Sequence, residues 1–206
     1  MIHAKYNMFK PLKTLIQTER SFFKTYTFAD PALVESSINE IKGKLNVSSK
    51  RRLGFFSDIY KGDYNYGHIK LTTSQRLTPS LSSLLDITNN QFQTDYNGII
   101  INEYLNGSNV IQKHSDSKNH PDVGVIIISY GVTRNFRVFD KVTDEKVMDI
   151  PLIQNEAIHM GGDFQLEFTH DVEADPSIQE TRYSISFHKY MEQGRYDSQY
   201  HWRGEK

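Results

Sequence analysis

Short apolar segments, separated by turn residues at regular intervals, make up the second half of the sequence. Asn106-Gly107 and Asp175-Pro176 are two of the turn signals between them. Many short strands with few intervening helices indicate a β sandwich or barrel of the jelly-roll type. Seven strands are predicted in this way, over residues 98–104, 123–130, 134–139, 146–150, 157–160, 164–170 and 182–190.

Two helical patterns precede these strands. Asp30 followed by Pro31 is typical of an N-cap and first helical position, and the apolar spacing after it predicts a helix over residues 31–45. Thr78 before Pro79 predicts a second helix over residues 79–87. We therefore expect one mainly β domain over residues 1–206, of the α+β class, with flanking helices.

The absence of cysteine excludes several chemistries. A disulfide framework, thiolate zinc or iron–sulfur ligation and a cysteine nucleophile all require this residue. A metal in this protein must therefore be held by histidine and carboxylate side chains.

Charge and hydropathy limit the partners and the cellular location that we expect for the protein. With 24 Lys+Arg against 25 Asp+Glu, it cannot bind nucleic acid by bulk charge and would need a local basic surface. We see no apolar signal-peptide segment and no membrane span, and we expect a soluble intracellular monomer of the cytoplasm or nucleus.

Three polar residues suggest a metal site. His114 and Asp116 are two positions apart, so in an extended segment both side chains leave the same face, and His170 ends a predicted strand. Two histidines and one carboxylate on a β scaffold form the facial triad of non-haem Fe(II) oxygenases. Each residue alone would more commonly be a solvated or structural side chain. Their order and spacing, with Arg182 opening the last strand as a partner for an anion, favour the site.

These residues belong to a longer ordered series that resembles the AlkB-like Fe(II)/2-oxoglutarate dioxygenases. Residues 102–116 resemble the family signature N-x-Y-x-x-G…H-x-D, and residues 129–136 resemble its S-x-G-x-x-R-x-F. The resemblance continues through residues 160–170 and 182–187 and covers about residues 52–190. It implies a double-stranded β-helix core over 97–190 and a nucleotide-recognition lid and helix over 51–96. Composition and the first helical pattern predict an N-terminal helical extension over 1–50, and residues 191–206 are left as a C-terminal tail.

The resemblance also implies roles for named residues. His114, Asp116 and His170 would ligate Fe(II) and form the catalytic centre, and Arg182 would pair with the distal carboxylate of 2-oxoglutarate. The remaining cosubstrate-binding positions correspond to Asn102, Tyr104, Ser184 and His188. Asn102 and Tyr104 share a strand face, and an alternative is that they are hydrogen-bonded core residues. Ser184 and His188 depart from the family pattern, which commonly has Asn and a second Arg at these positions.

Substrate contacts are expected mainly from the lid. A small basic cluster and several aromatic side chains could meet phosphates and stack on a base. Alternatively, the basic residues form an ordinary solvated surface and the aromatic residues pack in the core of a hairpin. Lys118 stands where many relatives carry an acid, which puts base choice in doubt. The candidate substrate-binding residues are Arg52, Phe56, Tyr64, Tyr66, Lys118 and Arg134.

The expected activity follows from the resemblance. Such enzymes use Fe(II), 2-oxoglutarate and O2 to remove N-methyl groups as formaldehyde, with release of succinate and CO2. Usual substrates are 1-methyladenine- or 3-methylcytosine-type bases in DNA or RNA, as in repair of alkylation damage, flipped out of the stack. Alternatives are the same chemistry on a protein side chain, a free nucleotide or another modified base, and a non-catalytic nucleic-acid-binding module.

Overall fold

Antiparallel strands dominate the chain in this computed structural model, which describes residues 7–47, 50–66, 69–116 and 123–190. The helices are α1 (Pro31–Ile41), α2 (Pro79–Phe92) and α3 (Phe164–Glu167). The strands are β1 (Phe9–Gln17), β2 (Ser21–Phe28), β3 (Asn46–Val47), β4 (Arg52–Phe56), β5 (Asp63–Tyr66), β6 (Ile69–Gln75), β7 (Gly98–Tyr104), β8 (Ile111–His114), β9 (Val125–Gly131), β10 (Arg134–Asp140), β11 (Lys146–Leu152), β12 (Glu156–Gly162), β13 (Phe168–Val172) and β14 (Arg182–His188).

Two sheets contain these strands. The larger has the order β1-β2-β12-β9-β14-β7-β4-β6-β5, with β3 paired to β4, and the smaller has the order β11-β10-β13-β8. All pairings are antiparallel among the described residues except β4 with β6. This mainly antiparallel, helix-poor arrangement confirms the predicted jelly-roll fold.

The central strands of the large sheet are buried on both faces. Ile99 and Ile101 of β7 face the core that α1 and α2 cover, whereas Tyr104 packs in a second core with residues of the small sheet such as Phe136 and Val138. Because side chains alternate along a strand, β7 serves both cores at once. The functional side chains described below lie on the face of β7 that looks towards the small sheet.

The two helices begin where the sequence predicts. Asp30 accepts a hydrogen bond from the Leu33 amide, and Thr78 accepts one from the Leu81 amide, so both predicted N-caps are present. The ends differ. α1 stops at Ile41, four residues early, since Gly43 turns the chain with φ +79°. α2 continues past residue 87 to Phe92, with Gln93 in the left-handed conformation after it.

The N-terminal extension needs correction, because it is not only helical. β1 and β2 form an antiparallel hairpin within residues 1–50, and β2 pairs with β12 at the edge of the large sheet. Lys, Thr and Ser residues interrupt the apolar positions here, which hid the alternation of apolar and polar residues that is typical of a strand.

Within the described residues, no helix is long and apolar enough to span a membrane.

A second correction concerns residues 164–170, predicted as one strand. α3 occupies the first four of these residues, and β13 begins only at Phe168. The amides of Leu166 and Glu167 both donate to the Asp163 carbonyl, which closes a helical turn, while Phe164 is buried in the core. The turn ends just before the strand that carries His170.

His159 on β12 provides a pH-dependent term in stability. Its ring lies between those of Phe22 and Phe92, and burial lowers its pKa from 6.5 to about 4. The unfolded chain therefore binds more protons between pH 6.5 and 4, so this contribution to stability falls as the pH falls. Between pH 7 and pH 5 we expect the unfolding free energy of the wild-type protein to fall by about 2 kcal/mol more than that of His159→Phe.

Urea unfolding of both proteins at the two pH values measures this difference. An equal loss in the wild-type protein and in His159→Phe would contradict the buried, neutral state of His159.

Candidate metal centre and its pocket

Strand register brings His170 beside His114 and Asp116, which lie far from it in sequence. β8 pairs with β13, and His114 lies directly opposite His170. Asp116 follows β8 by two residues, and its Oδ1 lies 3.4 Å from His114 Nε2 while its Oδ2 lies 3.6 Å from His170 Nε2. One ligand atom from each side chain lies within 4.8 Å of the others. This is the 2-His-1-carboxylate arrangement that leaves metal positions open.

Hydrogen bonds fix the ring of the first histidine. His114 Nδ1 lies 2.7 Å from the Gln112 carbonyl, so Nδ1 carries a proton and Nε2 is the ring nitrogen that faces Asp116. His170 has no such hydrogen bond among the described residues; Phe136 stacks on its ring at 5.1 Å between centroids. One ligand is thus oriented by a backbone acceptor and the other by packing.

Electrostatics give Asp116 and His170 the protonation states that a metal requires. Burial by itself would raise the pKa of Asp116, but the two histidines hold it well below its usual range. Burial lowers the pKa of His170 to about 3. Burial also opposes a charge on His114, but the hydrogen bond and the charge of Asp116 outweigh it and raise the pKa of that ring. A carboxylate beside neutral imidazole is therefore the state of Asp116 and His170 at neutral pH.

The segment that carries the carboxylate is held by two side chains from neighbouring elements. Gln165 of α3 accepts a hydrogen bond from the Asp116 amide at 2.8 Å. Lys141, in the turn after β10, donates to Ser115 Oγ and to the Gln165 carbonyl, each at 3.1 Å. Ser115 in turn donates to the Phe168 carbonyl. These bonds anchor the loop after β8 to the element that leads into β13.

A polar patch on the large sheet faces this cluster. Arg182 on β14 lies opposite Tyr104 on β7, and Ser184 lies opposite Asn102. The Asn102 amide donates to Ser184 Oγ at 3.3 Å, and Arg182 Nη2 donates to Ser129 Oγ at 3.1 Å. These side chains point between the sheets, where apolar residues would otherwise close the core.

Arg182 is incompletely satisfied. The side chain is 1% exposed, yet its Nε and Nη1 atoms have no hydrogen-bond partner among the described residues. The guanidinium lies over the Tyr104 ring, 5.2 Å from its centroid, and burial lowers its pKa. A buried cation with two unused donors fits a carboxylate ligand.

A cleft joins the ligand cluster to the polar patch. Ser184 and His188, two of the predicted cosubstrate residues, lie in its lining, and burial lowers the pKa of His188 to about 4. The cleft is lined by Arg51, Ile100, Asn102, Tyr104, Ile111, His114, Asp116, Ile127, Phe136, Leu152, His170, Val172, Arg182, Ser184, Ser186 and His188. One cleft thus holds every predicted metal and cosubstrate residue.

This arrangement defines a mononuclear metal oxygenase on a double-stranded β-helix. The family model described as the 2OG-Fe(II) oxygenase superfamily matches residues 20–197, and the chain belongs to that superfamily. A solved structure described as "The structure of OsALKBH1" has a similar fold, with a TM-score of 0.59 and 12% identity over 86% of this chain and 100% of that chain. No curated protein matches the sequence. The predicted family and AlkB-like fold are confirmed.

Family membership implies Fe(II) and 2-oxoglutarate as cofactors, and the residues present fit both. The His114, Asp116 and His170 donor set suits Fe(II), and the unused donors of Arg182 suit a carboxylate of the cosubstrate. The chain is therefore an oxygenase with the cofactors that its sequence predicts.

Two predicted substrate residues do not reach the cleft. Arg52 lies opposite Glu103 in the register of β4 with β7, on the other face of the sheet from Asn102, and it forms an ion pair with Glu103 at 3.3 Å. Phe56 is fully buried in the core beneath α1 and α2. The alternation of side chains along β4 sends both residues away from the metal ligands.

Arg134 also requires correction. Its guanidinium donates to the carbonyls of Asn106, Gly107, Asn109 and Glu173, so it is a buried support for the loop after β7 and does not line the cleft. Lys118 and the side chains of Tyr64 and Tyr66 lie outside the described residues.

Sequence reasoning did not identify the side chains that support the ligands. Gln165 lies in the segment over residues 160–170 that resembles the family, and its position shortly before His170 was the one feature that could have indicated a supporting role. Arg51 belongs to the predicted basic cluster of the lid, but only Arg52 is a predicted substrate residue, because the strand phase that separates them is not visible in the sequence. Lys141 carries no local signal, since only tertiary packing brings it to Ser115.

We expect Gln165→Ala to weaken metal binding. Loss of the acceptor for the Asp116 amide frees the loop that carries the carboxylate, and loss of such a support typically weakens metal binding by about 10- to 100-fold. Isothermal titration calorimetry with Fe(II) under anaerobic conditions measures the effect. The matched control is Gln179→Ala, at an exposed glutamine. Equal Fe(II) affinity in the two variants would contradict the supporting role.

Arg182→Gln should affect the cosubstrate more than the metal. Removing a buried cation that pairs with a carboxylate should weaken 2-oxoglutarate binding by about 100-fold or more, with a much smaller change in Fe(II) affinity. Separate titrations of the two ligands test this prediction, and Arg76→Gln, at an exposed arginine, is the control. An unchanged 2-oxoglutarate affinity would overturn the role of Arg182.

Proposed function

We propose that this oxygenase removes N-linked methyl groups from 1-methyladenine- or 3-methylcytosine-type bases in DNA or RNA. The products would be formaldehyde, succinate and CO2, and the role would be repair of alkylation damage. The single observation that carries the proposal is the position of the lid segment: β4 pairs with β7 in register, with Leu53 opposite Asn102. The strands that resemble a nucleotide-recognition lid thus border the strand that carries the cosubstrate residues.

Charge in the cleft supports an anionic substrate complex. Arg51 and Arg182 are its cationic lining residues among the described part of the chain, and Asp116 is the acidic one. Fe(II) adds two positive charges, so a dianionic cosubstrate leaves an excess of positive charge. Such a field attracts the phosphates of a nucleic acid despite the net charge of -1 of the whole chain.

The chain's own residues divide the work of the reaction. When bound, Fe(II) together with 2-oxoglutarate and O2 supplies the oxidising chemistry. His114, Asp116 and His170 hold the metal at three positions, and Arg182 orients the cosubstrate through a carboxylate. Apolar lining residues such as Phe136 exclude water from the reacting centre.

Substrate recognition would come from three further residues predicted from the sequence. Tyr64 and Tyr66 on β5 are the proposed stacking partners of a flipped base, and Lys118, two residues past Asp116, is the proposed contact to its edge or to a phosphate. We also propose that the protein acts as an intracellular monomer, in the cytoplasm or the nucleus.

Anaerobic loading with Fe(II) and 2-oxoglutarate, followed by O2, tests the function. Substrates are single- and double-stranded DNA and RNA oligonucleotides that carry 1-methyladenine, 3-methylcytosine or 6-methyladenine, and the same methylated nucleotides in free form. We expect loss of methyl groups and stoichiometric succinate, measured by mass spectrometry. His170→Ala should abolish both.

The matched control is His159→Phe, which alters a buried histidine outside the cleft and should retain turnover. Demethylation of free nucleotides alone would contradict the nucleic-acid substrate. Succinate without demethylation would place the substrate in another class, and the absence of both succinate and Fe(II) uptake would contradict the enzymatic function.

A further inference from the structure

Arg51 lines the cleft and lies just before β4. The segment that carries it is anchored to the loop after β7, because the Lys50 carbonyl accepts hydrogen bonds from Asn109 Nδ2 at 2.9 Å and from the Val110 amide at 3.3 Å. From this position Arg51 Nε donates to Asn102 Oδ1 at 2.6 Å. The guanidinium thus reaches from the start of β4 to a side chain on the neighbouring strand β7, on the face that looks towards the metal ligands.

This hydrogen bond determines the orientation of the Asn102 amide. A guanidinium only donates, so the atom of Asn102 that faces Arg51 must be the carbonyl oxygen. The amide NH2 then lies on the other side, where one of its two hydrogens is given to Ser184 Oγ at 3.3 Å. Asn102 is 6% exposed and lines the cleft, which leaves its second N–H for a ligand there.

The neighbouring arginine has a different environment. Arg52 lies on the opposite face of the sheet and pairs with Glu103, which also accepts a hydrogen bond from the Tyr183 hydroxyl. Arg51 and Arg52 therefore differ in strand phase and not in residue type. This pair provides a matched comparison of a cleft arginine with an arginine outside the cleft.

We propose that Arg51 is a positioning residue for the cosubstrate. By holding the Asn102 carbonyl oxygen, it presents the Asn102 NH2 group to a carboxylate of 2-oxoglutarate bound between Arg182 and the metal ligands. Without Arg51 the amide is free to rotate and to offer an oxygen, which repels a carboxylate. The inference depends on the cosubstrate of the superfamily and is independent of the methylated-base substrate proposed above.

Binding of 2-oxoglutarate to the anaerobic Fe(II) protein tests this role without any oligonucleotide. The charge-transfer absorption that 2-oxoglutarate produces on Fe(II) reports the dissociation constant directly. We expect Arg51→Met to weaken binding by about 10-fold or more, as for loss of a hydrogen bond to a charged group. Arg51→Lys retains a donor and should recover part of this loss, and Arg52→Met should bind as the wild-type protein does.

A double-mutant cycle separates positioning from direct contact. In an Asn102→Ala background, Arg51→Met should cause little further loss, because the group through which it acts is already absent. A full additional loss in that background would mean that Arg51 contacts the cosubstrate itself and would overturn the positioning role. Unchanged binding in Arg51→Met would overturn any role of Arg51 in cosubstrate binding.

Circular dichroism of each variant verifies folding, and Arg51→Lys replaces Arg51→Met in the cycle if the methionine variant does not fold. Failure of the proposed demethylase function leaves these titrations unaffected, since they contain no nucleic acid. The two proposals can therefore fail separately.

Discussion

The pairing of β8 with β13 is the constraint on which the metal site depends. It places His114 directly opposite His170, although 55 residues separate them in sequence, and it lets Asp116 complete the cluster two residues later. A shift of one residue in this register would turn one histidine to the opposite face of the small sheet and separate the ligands. Gln165 and Lys141 hold the loop after β8, so the register of the strands and the position of the carboxylate are stabilised by different contacts.

The large sheet contributes a buried cation that is only partly satisfied. Burying the Arg182 guanidinium costs free energy, which the Ser129 hydroxyl and the Tyr104 ring offset in part. A carboxylate in the cleft would supply the missing acceptors, so cosubstrate binding and stability are linked. Arg51 and Asn102 extend the same patch, so in the proposed role the central strands β7 and β14 would bind a dianion opposite the candidate metal ligands.

Much of the site could be predicted from the sequence because its chemistry is local. The spacing of His114 and Asp116, the position of His170 at a strand end and the ordered motifs up to Arg182 all survive as patterns along the chain. Errors arose where the decisive property was strand phase. Arg52 and Phe56 have suitable side chains but lie on the wrong face, while Arg51, one residue away from Arg52, lies on the correct one.

The sequence by itself determined the class of fold, the three candidate metal ligands and the arginine proposed to bind the cosubstrate, since each depends on residue type, order and spacing. Only the tertiary structure decided which side chains support them. Arg134 supports the loop after β7 by a hydrogen bond to Gly107, and Lys141 donates a hydrogen bond to Ser115. In both pairs the residues are more than twenty positions apart in sequence. Such contacts are set by sheet pairing and by the packing of two sheets against each other, and no local pattern in the chain encodes them.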